Sequence, residues 1–378
     1  MLNEPTFKPG LEGVVAAQTR LSSVDGLAGE LVIAGFPLEE IAPNATFEEM
    51  VYLLWHDHLP NAAQFTDFRA HLAAERALPD AALTLLSAAA SEKQNTMDAL
   101  RMAASTLSLG GNGQDSERDA LKLVAAFPTI VAAYWRLLQG KEPLAPRADL
   151  RHAANYLYML TGDVPSDERV RGLETYLNTV VDHGLNASTF TTRVIISTGS
   201  DMISAIVGAL GALKGPLHGG APGPALDMVF EIGEIANAEP YLRRKLGAGE
   251  LLMGFGHRVY KVRDPRADVL SEAAERLFHN GGDMALYTLA RDVERKAIEL
   301  LAEYKPGRNL QTNVEFYTAL LLHGLDFPTD LFSPTFAVSR VAGWTAHAFE
   351  QQEVNRIIRP QSVYTGTKDR RWTTVEDR

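Results

Sequence analysis

Residues 215–224, GPLHGGAPGP, form the stretch around which the rest of the sequence is arranged. One histidine, His218, stands there among four glycines and three prolines. Apolar segments with helical periodicity precede it at 202–213 and follow it at 225–236. Because glycine accepts positive φ angles and proline cannot continue a helix, His218 is predicted at a break between two helices, with open backbone around it. The pattern fits an ordinary loop and a ligand site equally well.

The composition is that of an ordinary globular protein. The chain has 378 residues, enough for about two domains, with 46% hydrophobic and 22% charged residues. Cysteine is absent, which excludes disulfides, thiolate metal sites and cysteine nucleophiles and fits a cytoplasmic protein. The start of the chain does not resemble a signal peptide, and the longest nearly apolar run, residues 203–213, is too short to cross a bilayer. We therefore expect a cytoplasmic protein that does not act at a membrane.

The charge distribution favours small anionic ligands. A formal net charge of −11 argues against nucleic-acid binding and makes two basic clusters more informative. Residues 257–266 carry four Lys or Arg, and residues 356–378 carry six. Arginine binds carboxylates and phosphates through a planar fork, and lysine binds them as a point charge. A solvated surface is the alternative interpretation of both clusters.

The periodicity predicts a mainly α-helical fold. Two β-capable runs, 14–21 and 30–35, flank an Asp-Gly turn and predict one N-terminal hairpin. Downstream, about fifteen segments have helical periodicity, and the first opens with a capping box at Thr46. Glycine-containing joints at 215–223 and near Gly324 are compatible with an inserted domain.

Three histidines lie next to helix breaks: His183, His218 and His257. Their spacing alone is compatible with a three-histidine metal site. The basic residues that follow His257 argue against a metal, because a dication and an arginine cluster repel each other. The other histidines lie inside helical patterns, where surface or satisfied core positions are expected. They are His56, His58, His71, His152, His279, His323 and His347.

Two charged residues stand in apolar helical patterns. Glu315 begins a helix that is otherwise apolar, where it can complement the helix dipole or serve as a general base with a raised pKa. Arg340 lies within another apolar helix. A buried guanidinium there needs a carboxylate or an anionic ligand, and the alternative is a long side chain that reaches the surface.

Six motifs, in the same order as in the family, make the sequence resemble citrate synthases from about residue 10 to residue 372. The resemblance implies a mostly helical, citrate-synthase-like multi-helical fold. It implies a homodimer in which a large domain and a smaller inserted domain close over oxaloacetate and acetyl-CoA, without a metal or other cofactor. The motifs are GLEGVV (10–15) with VDG (24–26), DHGLNASTF (182–190), GPLHGGA (215–221), GFGHRVY (254–260) with DPR (264–266), NVEFY (313–317), and Arg340 with RP (359–360).

The resemblance also implies a division into two domains. A large helical domain, residues 1–219 and 326–378, would begin with the short β-hairpin, form the dimer and hold oxaloacetate. A smaller inserted helical domain, residues 220–325, would carry the general base and the acyl-CoA side of the site.

The resemblance assigns oxaloacetate to a set of cationic and histidine side chains. His183, Arg266 and Arg340 would hold its carboxylates, with Arg359 contributed across the dimer interface. His257 would donate a hydrogen bond to its ketone.

The acyl-CoA side is assigned in the same way. Glu315 would take a proton from the acetyl methyl group, and His218 would stabilise the enol oxygen. Ser188 would orient His218, with Asn186 also supporting the site. The candidates for contacts to CoA are Lys261, Lys368 and Arg371.

The activity implied is the condensation of acetyl-CoA, oxaloacetate and water to citrate and CoA through citryl-CoA. A 2-methylcitrate synthase that uses propionyl-CoA is the alternative within the family, and a non-catalytic paralogue that binds citrate or CoA is a remote one. Three positions depart from the family pattern: Glu315 replaces the more usual aspartate, Gly184 replaces an acidic residue, and Pro222-Gly223 replaces Asn-Glu. They leave open a changed acyl preference or a damaged site.

Overall fold

A computed structural model describes residues 7–219 and 223–378. Within these ranges the chain forms sixteen α-helices and one small antiparallel sheet. The strands are β1 Ser22–Asp25, β2 Glu30–Ile33 and β3 Phe36–Pro37. The helices are α1 Leu38–Ile41, α2 Phe47–His56, α3 Ala62–Ala74, α4 Asp80–Ser91, α5 Thr96–Thr106, α6 Ser116–Leu138, α7 His152–Thr161, α8 Asp167–Val180, α9 Ala187–Ser197, α10 Met202–Leu213, α11 Gly223–Ile232, α12 Ile235–Gly247, α13 Pro265–His279, α14 Met284–Tyr304, α15 Val314–Gly324 and α16 Phe332–Glu353.

The N-terminal hairpin exists, but its first strand is shorter and later than predicted. The Asp25 carboxylate accepts hydrogen bonds from the backbone N–H groups of Leu27 and Ala28, each at 2.9 Å, and so fixes the turn. This turn pairs Ser22 with Ile33, the two outer ends of the ladder. Residues 14–21 are not a strand, and the prediction of a strand there was wrong, because β2 ends at Ile33 and the chain turns away at Ala34 and Gly35, which have positive φ angles.

Local sequence signals set the helix ends. At the start of α2, Thr46 N–H donates to the Glu49 carboxylate at 2.7 Å, and Glu49 N–H donates to the Thr46 hydroxyl at 3.2 Å, which confirms the predicted capping box. The helix α10 ends at Leu213. His218 follows in a turn, where its own backbone N–H donates to Gly215 O at 2.9 Å. His218 thus lies between two helices, as predicted, while residues 220–222 lie outside the described part of the chain.

The helices α6 and α16 form the centre of the core. Side chains of α16 from Thr335 to Ala348 are buried on nearly every face, and the helix packs against α6, α8 and α9. By length and composition α6 could cross a membrane, but about 67% of its apolar window is buried inside the protein. This burial identifies α6 as a core helix, whose apolar surface stabilises the fold.

The helices α11 to α15 pack on one another beside the core formed by α6 and α16. Contacts join α13 to α15, α12 to α14 and α11 to α15. The helix α13 also lies against α8, and α8 in turn packs against α16. These contacts bring the start of α13, the start of α15 and the middle of α16 to one place.

Candidate active site

A cavity of about 910 Å³ lies where several helix ends converge on the middle of α16. Most of its polar lining residues follow or begin a helix, where backbone and side chains are open to a ligand. The cavity is lined by Asn186 and by six side chains that the sequence predicted to act in catalysis or to bind oxaloacetate within the same chain. They are His183, His218, His257, Arg266, Glu315 and Arg340.

The ring of His218 is held by Ser188. Its Nε2 accepts a hydrogen bond from Ser188 N–H at 3.2 Å and lies 2.8 Å from the Ser188 hydroxyl. Because a backbone N–H can only donate, Nε2 carries no proton and the neutral ring keeps its proton on Nδ1. Burial and then the charge of Arg340 lower the pKa of His218, which favours this neutral form. The imidazole is thereby prepared as a hydrogen-bond donor through Nδ1.

His257 is fixed in the opposite tautomer. Its Nδ1 accepts from the backbone N–H groups of Val259 and Tyr260, at 3.1 and 3.0 Å. The proton therefore lies on Nε2. The nearest Arg266 guanidinium nitrogen, 3.4 Å away, is also a donor, so no hydrogen bond joins the two groups. Burial and the charge of Arg266 lower the pKa of His257. A neutral Nε2–H donor beside an arginine suits the ketone of an anionic substrate.

His183 completes the group of three histidines. Its ring lies 5.9 Å from that of His257 in an edge-on arrangement, and its Nε2 is 3.1 Å from the Tyr260 hydroxyl. Burial, and then the charges of Arg266 and Arg340, hold the pKa of His183 well below its usual range. Within residues 7–219 and 223–378, no three His, Asp or Glu side chains are grouped so that they could hold a metal ion.

The two arginines in the cavity are balanced differently. Burial disfavours the charge of Arg266, but Asp264 outweighs burial and raises the pKa of Arg266. The Nε and Nη2 atoms of Arg266 donate to the two carboxylate oxygens of Asp264, at 3.0 and 2.8 Å. Arg340 is only 2% exposed, so its side chain does not reach the surface. Its Nε donates to Val180 O at 2.7 Å, and burial lowers its pKa to about 10.

No carboxylate in the described part of the chain forms an ion pair with Arg340. Asp182 raises its pKa electrostatically but is itself engaged by His347 at 3.1 Å and by the Ser22 hydroxyl at 2.5 Å. A buried guanidinium without an anionic partner is costly. Of the two possibilities that the sequence left for a buried Arg340, the structure favours an anionic ligand.

Glu315 lies in the first turn of α15. Its N–H donates to the capping Asn313 side chain at 2.9 Å, and its carboxylate lines the cavity. Burial raises the pKa of Glu315, although Arg266 opposes the shift. The position is compatible with both roles expected from the sequence. A carboxylate in a first turn is favoured by the helix dipole, and a raised pKa suits a general base.

Backbone pairing joins the loops that carry His257 and Glu315. Gly256 N–H donates to Gln311 O at 2.7 Å, and Asn313 N–H donates to Gly254 O at 2.9 Å. At Gly254 the φ angle is +86°, and a Cβ would lie 3.0 Å from Phe316. A glycine is needed there because both its conformation and its close packing exclude a side chain.

The basic cluster at 257–266 does not form one anion-binding surface. Arg263 is tied inward to Glu294 at 2.5 Å and to Asp268, so it is not available to a ligand in the way that the cluster predicted. Arg258 and Lys261 are exposed, and Lys261 Nζ donates to Arg258 O at 3.0 Å.

Four predicted binding residues lie away from the cavity of their own chain. All are exposed, and three of them follow α16 on the C-terminal segment. They are Lys261, Arg359, Lys368 and Arg371.

Several supporting residues had no role assigned from the sequence. Trp344 donates through Nε1 to the Ser188 hydroxyl at 3.1 Å, so α16 braces the residue that holds His218. Its position four residues after Arg340 places both on one face of α16, a signal that could have identified it. Tyr260, Asp264 and Asp182 each adjoin or belong to a recognised motif, but their partners lie in other segments of the chain.

Comparison with known proteins agrees with this geometry. The family model described as "Citrate synthase, C-terminal domain" matches residues 10–361. "Citrate synthase 2" of Bacillus subtilis is 43% identical over 99% of this chain and 100% of its own length. A "2-methylcitrate synthase" of Mycobacterium tuberculosis is 37% identical, covering 97% of this chain and 92% of its own.

A solved structure shares the fold over nearly the whole chain. It is a ternary complex of citrate synthase from Thermoplasma acidophilum with carboxymethyl coenzyme A and oxaloacetate. The two structures superpose with a TM-score of 0.88 at 29% identity, over 99% of this chain and 100% of the other. The converging helix ends, the histidine and arginine lining of the cavity and these matches together show that the chain belongs to the citrate synthase family of acyl-transferring enzymes.

Proposed function

We propose that this enzyme condenses acetyl-CoA with oxaloacetate to citryl-CoA and hydrolyses the thioester to citrate and CoA. The observation that carries the proposal is the buried Arg340, which lacks a carboxylate partner in the described chain and faces the same cavity as Glu315 and His218. A dicarboxylate supplies the missing negative charge. The ternary complex of the Thermoplasma acidophilum relative supports this choice of ligands.

Oxaloacetate binds on the cationic side of the cavity. Arg340, Arg266 and His183 hold its carboxylates, and these fixed donors also polarise the ketone and orient it for attack. The Nε2–H of His257 donates to the ketone oxygen, because its Nδ1 is occupied by two backbone N–H groups.

Acetyl-CoA reacts at Glu315. The carboxylate removes a proton from the methyl group, and the electron pair of that C–H bond forms the carbon–carbon double bond of an enolate, whose oxygen accepts a hydrogen bond from His218. The enolate carbon then attacks the ketone carbon, and the ketone oxygen becomes an alkoxide held by the Nε2–H of His257. The proton that Glu315 removed balances the proton that this alkoxide takes up. Each preorganised donor at such a developing charge is worth about 3 kcal/mol. Water finally cleaves the thioester and releases citrate and CoA.

The remaining elements of the proposal concern assembly. The segment 220–325 closes as a small domain on residues 1–219 and 326–378, which excludes water from the enol. Two chains form a homodimer in which Arg359 of each reaches the oxaloacetate of the other. Lys261, Lys368 and Arg371 contact CoA, and the enzyme works in the cytoplasm without a metal or other cofactor.

The 2-methylcitrate synthase activity is the second candidate, because the Mycobacterium tuberculosis relative is 37% identical. One additional methylene group changes specificity by only about 1–3 kcal/mol, so both substrates have to be compared directly. A non-catalytic paralogue is disfavoured, since Glu315 lines the cavity with a pKa raised by burial.

A thiol-release assay tests the proposal. The purified protein is mixed with oxaloacetate and either acetyl-CoA or propionyl-CoA, and free thiol is followed with a colorimetric reagent. The protein has no cysteine and adds no background signal. We expect faster release from acetyl-CoA. Release from neither substrate would contradict an enzymatic function, and a higher kcat/KM with propionyl-CoA would identify the second candidate.

A further inference from the structure

The N-terminal segment contributes a wall to the active-site cavity. Gly10, Leu11, Val14 and Ala16 line the same cavity as the catalytic candidates, although they lie outside the helical core. Leu11 and Val14 remain 40% and 44% exposed, so neither is used to stabilise the fold by full burial. Their exposed apolar surface faces a space that a ligand can enter.

The backbone of this segment has an uncommon conformation. After Pro9, Gly10 and Leu11 have φ angles of +61° and +57°, and Gly13 has +73°. Positive φ is accessible to glycine but strained for leucine, whose Cβ crowds the following carbonyl. Strained residues of this kind concentrate at ligand sites. An apolar, strained, half-exposed leucine at a cavity wall therefore points to contact with a ligand.

The segment is attached to the rest of the protein at two places. Downstream, Arg193 donates to Gln18 O at 3.4 Å, and Arg20 N–H donates to the Glu350 carboxylate at 2.8 Å. Within the segment itself, between Leu11 and Val14, Glu12 lies 3.7 Å from Arg258, the residue next to His257. Residues 9–16 thus form a strap, which we define by these limits. Hydrogen bonds hold the chain just beyond it, at Gln18 and Arg20, and an exposed ion pair of Glu12 holds its middle.

The chemistry of the strap selects the ligand. Its cavity residues are apolar and cannot neutralise a dicarboxylate, which Arg266 and Arg340 do. Other apolar residues of the cavity lining are also exposed. They are Leu185, Leu217 and Val259. Acyl-CoA is the substrate with an uncharged arm, the chain that joins its nucleotide to the thioester.

We propose that Leu11 and Val14 bind the uncharged arm of acyl-CoA and that the strap positions the thioester for Glu315 and His218. This inference rests on the proposed function, because it assumes that acyl-CoA occupies the cavity. It adds the N-terminal strap to the residues that set the affinity for acyl-CoA, without a role in binding oxaloacetate.

Substitutions of Leu11 test the strap. Leu11→Ala removes most of the side chain, and Leu11→Gly removes all of it while accepting the positive φ angle. We expect both variants to raise KM for acetyl-CoA about fivefold, with KM for oxaloacetate and kcat within about twofold of the parent. Val15→Ala is the matched control, since Val15 is 89% exposed and does not line the cavity.

Two results would overturn the proposal. One is an unchanged KM for acetyl-CoA in Leu11→Ala. The other is a parental KM in Leu11→Gly but not in Leu11→Ala, which would show that only the backbone conformation matters. Calorimetric binding of CoA to the same variants needs no turnover and is expected to weaken by a similar factor. The two proposals can fail separately. If the parent protein releases no thiol but Leu11→Ala still weakens CoA binding, the proposed reaction is rejected and the role of the strap is retained.

Discussion

At the scale of single residues, the site depends on neutral histidines beside buried arginines. Backbone N–H groups fix the proton on Nε2 of His257 and, through Ser188, on Nδ1 of His218. Burial lowers the pKa of both rings, and the charge of Arg266 beside His257 or of Arg340 beside His218 adds to that effect. In the proposed mechanism, arginine supplies the positive charge that holds the substrate, and histidine supplies the directional donors.

Replacement of Glu315 tests the general base. Glu315→Gln is expected to reduce kcat at least about a hundredfold, because the amide cannot accept the methyl proton. Since burial raises the pKa of Glu315, the rate of the parent enzyme should fall with decreasing pH at values above the usual range of a glutamate. Stopped-flow thiol release across pH measures both effects.

Glu299→Gln is the matched control for that experiment, because Glu299 is an exposed carboxylate on α14 that pairs with Lys296 at the surface. Near-parental activity of Glu315→Gln would show that another group removes the proton. An equal loss in the control variant would show that the substitution acts through the fold.

The sequence predicted the chemical groups of the site better than their partners. The three histidines, Glu315 and Arg340 were recognisable by motif and by their apolar surroundings. Their supporting contacts join segments far apart in the chain, such as His183 to Tyr260 and Ser188 to Trp344. A local pattern cannot specify such pairs, because they arise only when helices pack.

At the scale of elements, helices were predictable and the first strand was not. Helical periodicity is local, and capping at Thr46 is decided within four residues. A β-strand needs a partner, and residues 14–20 pair with no strand, because the turn at Asp25 sets the register and β2 ends at Ile33. The segment instead has no regular secondary structure, and Val14 and Ala16 in it border the cavity.

The helix α8 carries a buried carboxylate outside the active site. Glu174 is fully buried, and its nearest cations, Arg171 and Arg151, are 3.3 and 3.5 Å away. Burial raises the pKa of Glu174 to about 7, against the effect of both arginines. A raised pKa in the folded state means that ionisation of Glu174 opposes folding.

The free energy of unfolding should therefore decrease with increasing pH, because Glu174 ionises more readily in the unfolded chain. Its contribution is fully present below about pH 4.5 and is lost as pH rises through about 7. We expect Glu174→Gln to be more stable than the parent at pH 8, by up to about 3 kcal/mol, and to differ little at pH 5. Urea unfolding at the two pH values measures the difference.

The exposed Glu168, in the first turn of α8, provides the matched control. Glu168→Gln should change stability by the same small amount at both pH values. A Glu174→Gln variant that is destabilised equally at pH 5 and pH 8 would show that the contacts with Arg171 and Arg151 outweigh burial.

At the scale of the whole molecule, the C-terminal segment after α16 is largely exposed in a single chain. Ile358 N–H donates to the Ser197 hydroxyl at 3.0 Å, and beyond this anchor Arg359 is exposed and does not line the cavity of its own chain. Farther on, Tyr364 and Trp372 are 65% and 79% exposed. Tyrosine and tryptophan are enriched at surfaces that another chain covers.

Complementation tests whether Arg359 acts across a dimer. Glu315→Gln and Arg359→Gln are each expected to be nearly inactive alone. In a mixed dimer, the chain with Arg359→Gln keeps its own Glu315 and receives Arg359 from the other chain. Co-expression in equal amounts should therefore restore about a quarter of the parental sites. Activity no higher than that of the separate variants would show that Arg359 serves its own chain or has no role.

The hydrogen bond between the Trp344 indole and Ser188 has a practical consequence. It places a fluorophore in contact with the residue that holds His218, one helical turn from Arg340 on the same helix. Indole emission responds to nearby charge and to a change in its hydrogen bond, so arrival of a dicarboxylate at Arg340 can be followed optically without a label. The other three tryptophans, Trp55, Trp135 and Trp372, can be replaced by phenylalanine to isolate that signal.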